Sequence, residues 1–314
     1  MTAGARPTTY GGQAVIEGVM IRGKRTIGLA CRKPDGGIYR YRESLDSPLT
    51  RSRLARAPFV RGVVVLWESL RYGMRMLMRS ADVQLGPNQV DQVDQPDQPD
   101  QPPQEAPHTG GSSAAAMGLG LIAALALFVG VPYLLTGLLR SAVPSTLALN
   151  IAEGLLRLVL LLGYLVAISF LPDIRRVFAY HGAEHMTIHA FEHGDPLDQR
   201  HIEPYPTAHP RCGTAFLLLV VVIAIVAFAF IPRVHLAVDL VVRLALVIPV
   251  ASIAYEVLRF GAGHERNVFM RLAVAPGLLL QAITTRRPDG AMIEVAIASL
   301  EEALAGDALG NAAA

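Results

Sequence analysis

The chain has 314 residues, of which 52% are hydrophobic and only 17% are charged, and its mean hydropathy is +0.38. Soluble domains usually carry about 25% charged residues, so the composition favours a membrane protein. The formal net charge of +2 argues against a nucleic-acid-binding protein, which would carry a strong basic excess.

The first 85 residues are expected to form a cytoplasmic region with a small β-hairpin. Residues 26–31 and 38–42 are the predicted strands, joined by the turn Pro34-Asp35-Gly36-Gly37. Upstream, residues 11–23 mix glycines with alternating apolar residues. This segment is either a strand with glycine-relieved bends or a backbone segment that lines an active site. In the second interpretation it presents Gln13, Glu17 or Arg22 to a substrate.

Two further segments precede the first membrane span. Residues 59–79 carry apolar residues on one side and arginines elsewhere, which predicts an amphipathic helix at the membrane surface rather than an additional span. Residues 86–113 contain tandem Asp-Gln pairs, prolines and a Gly-Gly-Ser-Ser run. They cannot bury enough apolar surface to offset their chain entropy, so we expect a disordered linker.

Residues 114–260 hold four apolar segments of about the length that crosses a bilayer as a helix. They are 114–139, 151–171, 214–231 and 234–258, and the first and third contain no charged residue. Glu153 and Arg157 lie four residues apart in the second segment, as do Asp239 and Arg243 in the fourth. Both pairs are predicted structural ion pairs.

The basic residues predict the orientation of these spans. Arginines concentrate before the first span, in the loop 172–213 and after the last span. The positive-inside rule then places both termini and the His-rich loop in the cytoplasm, at the inner or plasma membrane. The first 30 residues lack the apolar core and cleavage site of a signal peptide. Cys31 and Cys212 both fall on the cytoplasmic side, so a disulfide is not expected.

A histidine-rich segment lies in the loop before the third span. Residues 180–194 read YHGAEHMTIHAFEHG, within a helix expected to begin at Pro172 and to end at Gly194. Each residue turns a helix by about 100°, so the histidines and glutamates share one half of it. Its first part, His181-Gly-Ala-Glu184-His185, has the H-x-x-E-H order of inverted zinc proteases.

This spacing suits metal chemistry. Two imidazoles one turn apart can bind one metal, and the carboxylate between them can act as a base. We therefore predict His181, His185 and His189 as metal ligands and Glu184 as the catalytic base. A solvated polar face or a pH sensor are the alternatives.

The remaining ligands are sought outside that helix. His209 and Cys212 lie just before the third span and can bring an imidazole and a thiolate to the same metal; alternatively, His209 caps a helix and Cys212 is a small buried residue. Glu256 has no basic partner four residues away and is a candidate third ligand. His264 and Glu265 are weaker candidates.

The tail, residues 261–314, contains two apolar parts. Residues 268–283 are interrupted at Pro276-Gly277 and are not predicted to span the membrane. Residues 292–304 are predicted to form an amphipathic helix for membrane-surface packing or dimer contacts.

Four separated motifs together resemble the YqhQ-type family of bacterial membrane proteins. They are Gly11-Gly-Gln-Ala-Val-Ile-Glu-Gly-Val-Met20, Tyr180-His-Gly-Ala-Glu-His185, His209-Pro-Arg-Cys-Gly213, and the tail with Gln281, Thr284-Thr-Arg286 and residues 292–296. The resemblance implies a membrane-bound, metal-dependent enzyme but supplies no reaction. The Asp/Gln/Pro linker departs from it and looks like an insertion.

The sequence thus predicts a mainly α, polytopic membrane protein with about four transmembrane helices, cytoplasmic amphipathic helices and a small N-terminal β-hairpin region. We expect it to bind a divalent metal, preferably zinc, and to hydrolyse a small-molecule, lipid or peptide substrate at the cytoplasmic membrane face. The alternative is a non-catalytic, metal- or proton-sensing membrane scaffold or a transport-associated protein. Expected partners are the lipid bilayer and a second copy of the chain, with no nucleic acid.

Overall fold

The computed structural model describes residues 10–45, 52–85, 110–210, 212–262 and 268–312. Most of the predicted linker, residues 86–109, lies outside these ranges, and residues 110–113 belong to a helix. The candidates His264 and Glu265 also lie outside the described residues.

The N-terminal region forms an antiparallel sheet of four strands within the described ranges. Its strands β1 (Gly11–Val15), β2 (Gly18–Arg22), β3 (Thr26–Arg32) and β4 (Ile38–Ser44) pair in chain order. Glu17 and Gly36 adopt positive φ angles of 50° and 89° at the first and last turns. The predicted hairpin is confirmed as β3 and β4, and residues 11–23 add the other two strands.

Both faces of this sheet are covered by helices. Side chains alternate along a strand, so Met20 points to the face covered by α1 (Val60–Gln84), whereas Val19 and Ile21 point to the other face. That second face packs against α5 (Pro172–His193) and α10 (Gly290–Ala312). The tail helix therefore buries its apolar face against the sheet, which differs from the predicted membrane-surface or dimer role.

Three helical segments among the described residues are long and apolar enough to cross a membrane. They are Gly118–Gly137, Thr146–Ile168 and Leu236–Gly261. The first combines α2 (Gly110–Leu125), a π-helical turn (Ala126–Gly130) and α3 (Val131–Gly137); the others correspond to α4 (Thr146–Ile168) and α8 (Leu236–Ala262).

The other apolar segments are shorter. The predicted span 214–231 forms α7 (Gly213–Ala229), an apolar helix of 17 residues. This lies at the lower limit for a crossing helix, about 17 residues, so three spans are supported where four were expected. The tail segment forms α9 (Val268–Thr284), which continues through Pro276 as one helix.

Buried charges connect the membrane helices differently from the predicted pairing. Glu153 on α4 does pair with Arg157, at 2.7 Å. Arg243 pairs with Glu153 at 3.0 Å instead of with Asp239, and Arg233 reaches the same carboxylate at 2.7 Å. Asp239 accepts hydrogen bonds from the Tyr133 hydroxyl and from the Val234 N–H instead.

The helix α5 confirms the bounds predicted for the histidine segment. It begins with Pro172 in its first turn and ends where Gly194 takes a left-handed conformation, with a φ of 78°. The short helix α6 (Gln199–Ile202) follows, and residues 203–210 then lie along α5, where Thr207 and Ala208 contact its histidines, before α7 begins at Gly213.

Candidate metal centre

His181 and His185 lie one turn apart on α5, with ring centroids 4.4 Å apart. His181 Nδ1 is 2.9 Å from the carbonyl oxygen of Thr284, and His185 Nδ1 is 2.6 Å from that of Thr207. A carbonyl oxygen only accepts, so each Nδ1 must carry the ring proton. Both Nε2 atoms are then unprotonated and have a lone pair that can bind a metal, the arrangement found in metal-binding histidines.

Cys212 supplies a third donor beside these imidazoles. Its Sγ lies 3.2 Å from His181 Nε2, and one donor atom from each of His181, His185 and Cys212 falls within 4.8 Å of the others. Zinc bonds of about 2.0–2.3 Å to nitrogen and sulfur place tetrahedral donors roughly 3.3–3.8 Å apart. The His181–Cys212 separation is close to this range and the other separations do not exceed 4.8 Å, so the three residues are candidate ligands of one metal ion. A tetrahedral ion held by three ligands has a fourth position for water or substrate.

Burial shifts the pKa values of two of these donors, His185 and Cys212. It lowers the pKa of His185, with a further contribution from the neighbouring His181, so the imidazole is neutral and able to ligate. Burial also raises the pKa of the Cys212 thiol, and hydrogen bonds from Thr214 act in the opposite direction. A bound divalent cation would stabilise the thiolate, because metal binding displaces the thiol proton.

Glu184 is buried next to this group, and only one of its two carboxylate oxygens is hydrogen-bonded within the described residues. Its Oε1 accepts a hydrogen bond of 2.8 Å from the Gly12 N–H, while its buried Oε2 has no hydrogen-bond partner among the described residues. Burial raises the pKa of Glu184 to about 7, although His181 acts in the opposite direction. A carboxyl group with a pKa near neutrality can both take up and release a proton.

Gly12 brings the sheet close enough to make that hydrogen bond. A Cβ atom at this position would lie 2.2 Å from the carbonyl oxygen of Met20 and 3.1 Å from Glu184 Oε1. Only glycine therefore fits at this position, where β1 lies against both β2 and Glu184 of α5.

A cavity of about 320 Å³ lies between β1, α1 and α5. Its wall includes Glu184, His185 and Cys212 together with Gln13, Arg22 and Tyr72. Two of the three predicted substrate-binding residues, Gln13 and Arg22, thus face the same cavity as the metal candidates.

The third predicted substrate-binding residue lies elsewhere. Glu17, at the turn between β1 and β2, is not part of the cavity wall: its carboxylate accepts hydrogen bonds from Arg176 and from the Tyr180 hydroxyl. Glu17 therefore joins the sheet to α5 instead of facing a substrate in this cavity.

Two of the predicted ligands lie beside the three-donor group without joining it. His189 Nε2 is 2.9 Å from the carbonyl oxygen of Ala208, and its ring stacks on Tyr205. His209 Nε2 is 3.4 Å from a carboxylate oxygen of Glu192. The four-residue spacing carries His189 one turn further along the helix, past the position of Cys212.

Glu256 is not brought to the metal candidates. Its carboxylate pairs with the Arg61 guanidinium and accepts a 3.1 Å hydrogen bond from the Phe59 N–H. The basic partner of Glu256 is Arg61 on another helix, α1. The lack of a basic residue four positions away in the sequence therefore did not mean that Glu256 was available as a metal ligand.

Sequence reasoning did not assign roles to several residues that hold the centre together. Gln281 on α9 accepts from the His209 N–H at 2.7 Å and donates to the His209 carbonyl at 2.9 Å, which fixes the segment leading to Cys212. Gln281 and Thr284 belong to the tail motif noted above, and that motif was the available signal. Gly12 and Thr207 act through their backbone atoms, which residue type does not reveal.

Comparison with known proteins agrees with these motifs. A family described as "Protein of unknown function (DUF1385)" matches residues 57–306. The chain belongs to this DUF1385 family. The Bacillus subtilis (strain 168) protein named "Uncharacterized protein YqhQ" is 32% identical over 310 residues, covering 96% of this chain and 94% of the relative. No solved structure matches.

The predicted resemblance to the YqhQ-type family is thereby confirmed. The DUF1385 match contains α5, the segment 207–213 and α9, which together supply the three donors and the groups that hold them. The sheet that contributes Gly12 precedes the matched residues and is covered by the similarity to YqhQ. Neither description states a reaction.

Proposed function

We propose that this DUF1385 protein is a metal-dependent membrane enzyme that uses zinc and hydrolyses its substrate at the cytoplasmic membrane face. The observation that carries the proposal is the group His181, His185 and Cys212, whose donor atoms converge within 4.8 Å. The adjacent Glu184 can serve as the base. The cavity that Glu184 lines together with His185 and Cys212 offers a space for the substrate.

Each protein group has a specific part in the proposed reaction. Zinc held by three ligands would supply a Lewis acid and lower the pKa of a coordinated water. Glu184 Oε2, which is buried and has no hydrogen-bond partner in the described part of the chain, would accept the proton removed from the attacking water and return it to the leaving group. Gln13 and Arg22, on the facing wall, would orient the substrate.

Hydrolysis at the cytoplasmic face follows from the proposed orientation. The sheet, α5 and α10 form one packed unit joined to the membrane helices. The arginines before α2, in the segment 172–213 and after α8 favour the cytoplasmic side for this unit. A reducing compartment also keeps Cys212 available as a thiolate ligand.

The test measures metal in detergent-purified protein by elemental mass spectrometry. We expect about one zinc per chain in the wild type and its loss in the His181→Ala, His185→Ala double variant. Two controls should keep the metal: His193→Ala, an exposed histidine on the same helix, and Glu256→Gln. Cobalt-loaded protein should show a thiolate-to-metal absorption band that disappears in Cys212→Ser.

Glu184→Gln separates an enzyme from a non-catalytic metal-binding scaffold. We expect this variant to keep its metal while losing turnover of membrane extracts, followed by untargeted mass spectrometry of the products. Wild-type protein without metal after loading under reducing conditions would contradict the metal site. Metal binding with identical product profiles for wild type and Glu184→Gln would favour the scaffold.

A further inference from the structure

The helix α1 has two faces with different surroundings. Val63, Trp67 and Leu70 follow helical spacing and are 37%, 58% and 62% exposed. The opposite side carries Ser69 and Tyr72 on the cavity wall. One helix therefore separates an exposed apolar stripe, defined here as Val60, Val63, Trp67 and Leu70, from the candidate active site.

The beginning of α1 is attached to the end of a candidate membrane span. Arg61 pairs with Glu256 of α8, and a Cβ on Gly62 would lie only 3.1 Å from the Tyr255 side chain. Glu256 and Tyr255 fall near the C-terminal end of the segment Leu236–Gly261. The apolar stripe thus starts beside the C-terminal end of this candidate span.

The cavity borders the beginning of another apolar helix, α7. Its wall includes Cys212 and Gly213, the residues at which the apolar helix α7 begins. Met20, Val65 and Ile188 add apolar surface, while Gln13, Arg22 and Ser69 add hydrogen-bonding groups. A cavity of about 320 Å³ is small among ligand sites. It accommodates a polar headgroup but not the acyl chains attached to it.

We propose that the substrate is a membrane lipid whose headgroup enters the cavity from the adjoining leaflet, with α1 lying in the membrane interface. This inference rests on the proposed metal-dependent hydrolase. The apolar stripe occupies the headgroup–acyl boundary, as expected for an interfacial helix with an aromatic anchor. The acyl chains remain in the bilayer beside α1 while the headgroup reaches Glu184 and the metal ligands.

Trp67 allows a direct test because it is the only tryptophan of the chain. The full-length protein is placed in nanodiscs of phosphatidylcholine and phosphatidylglycerol, with bromine near the headgroup end of the acyl chains. We expect loss of most of the Trp67 emission in brominated discs and little quenching by aqueous iodide. Strong iodide quenching with unchanged emission in brominated discs would overturn the interfacial placement.

Lipid entry is tested with a phosphatidylglycerol that carries a photoreactive diazirine next to its headgroup. We expect adducts at Val65, Tyr72 and Ile188, and fewer of them in Ser69→Phe, which adds an aromatic ring at the cavity wall. The neighbouring Leu70→Phe, on the exposed stripe, should retain them. Zinc content of both variants reports whether the centre is still folded. Adducts confined to the exposed stripe, or a peptide extract as the only material turned over, would overturn a lipid substrate.

The two proposals can fail separately. Bound metal without cavity adducts overturns the lipid substrate and leaves the metal-dependent enzyme standing. Cavity adducts in a wild-type protein that binds no metal overturn the hydrolase, and with it the lipid as a substrate.

Discussion

At the scale of single residues, the candidate centre depends on atoms that hold the reactive groups in place. Glu184 is fixed by a backbone N–H of β1, and the two imidazoles are fixed by backbone carbonyls of Thr207 and Thr284. Such contacts set which nitrogen of each ring is free and which carboxylate oxygen faces the cavity. Small changes in backbone position should therefore have large effects.

Gly12→Ala should lower the free energy of unfolding by about 1–3 kcal/mol, because the new Cβ overpacks a closed contact. It would lie 2.2 Å from the Met20 carbonyl oxygen, so β1 must shift away from both β2 and Glu184. Gly11→Ala is the matched control, since a Cβ there would meet no atom of the described residues within 4 Å apart from its own chain neighbours. Thermal unfolding in detergent measures the difference, and equal midpoints for the two variants would contradict the close approach.

Gln281→Met should weaken zinc binding by about 10- to 100-fold, the usual effect of losing an outer partner of a metal site. The substitution removes the acceptor of the His209 N–H and one of the donors to the His209 carbonyl, which also accepts from the Cys212 N–H at 3.3 Å, so the position of Cys212 becomes less well defined. Zinc affinity is measured by competition with a chelator. Gln84→Met is the control, because Gln84 donates to the backbone carbonyl of Arg32, outside the candidate centre. An unchanged zinc affinity for Gln281→Met would contradict the positioning role of Gln281.

At the scale of secondary-structure elements, a buried carboxylate joins the membrane helices. Glu153 of α4 contacts Arg157, Arg233 and Arg243, and the side chains of all four are less than 10% exposed. Arg157 also donates to the carbonyl of Phe128 in the π-helical turn, where the regular helical hydrogen bonding is interrupted. One acidic residue thus holds α4, α8 and the irregular first span together.

Glu153→Gln should destabilise the protein by about 3–5 kcal/mol, because removing one member of a buried charge group leaves the others uncompensated. Three guanidinium groups lose their shared carboxylate in this variant. The change is measured as resistance to unfolding in mixed detergent micelles. Asp173→Asn, at an exposed position on α5, should change stability little; a similar loss in both variants would show that Glu153 has no special structural role.

At the scale of the whole molecule, the N-terminal sheet and the helix α10 form one packed unit. The tail helix α10 covers β3, where Ser299 donates to the Gly28 carbonyl, and Tyr10 donates to Asp307. Arg40 and Arg42 of β4 pair with Glu301 and Glu302 at the edge of the same contact. The sheet that provides Gly12 therefore depends on α10 for its second face.

Leu300→Ala should cost about 2–5 kcal/mol, as expected for truncation of a buried core leucine. Leu300 is 0% exposed beneath the sheet, whereas Leu309 on the same helix is 65% exposed. Leu309→Ala should therefore change stability by no more than about 0.5 kcal/mol. Protease resistance and thermal unfolding compare the two. A larger loss for Leu309→Ala would indicate that α10 packs mainly through its exposed side.

The sequence by itself determined the features that lie within one element. The lengths of the apolar segments located the three candidate membrane helices. Pro172 and Gly194 marked the two ends of α5. The turn Pro34–Gly37 located β3 and β4, and the spacing of His181, Glu184 and His185 placed them on one side of α5. These features are readable because backbone geometry repeats over a few residues, so periodicity and turn chemistry carry the information.

Only the tertiary structure decided which of these elements meet. It brought Cys212 to His181 and His185, and assigned Glu256 to Arg61. It placed Gly12 against Glu184, 172 positions away. It also showed that Arg243 pairs with Glu153 and not with the predicted partner Asp239. Such contacts depend on how separate helices and strands pack. Several acidic and basic residues satisfy the same local rules, and packing alone selects the pair that is buried together.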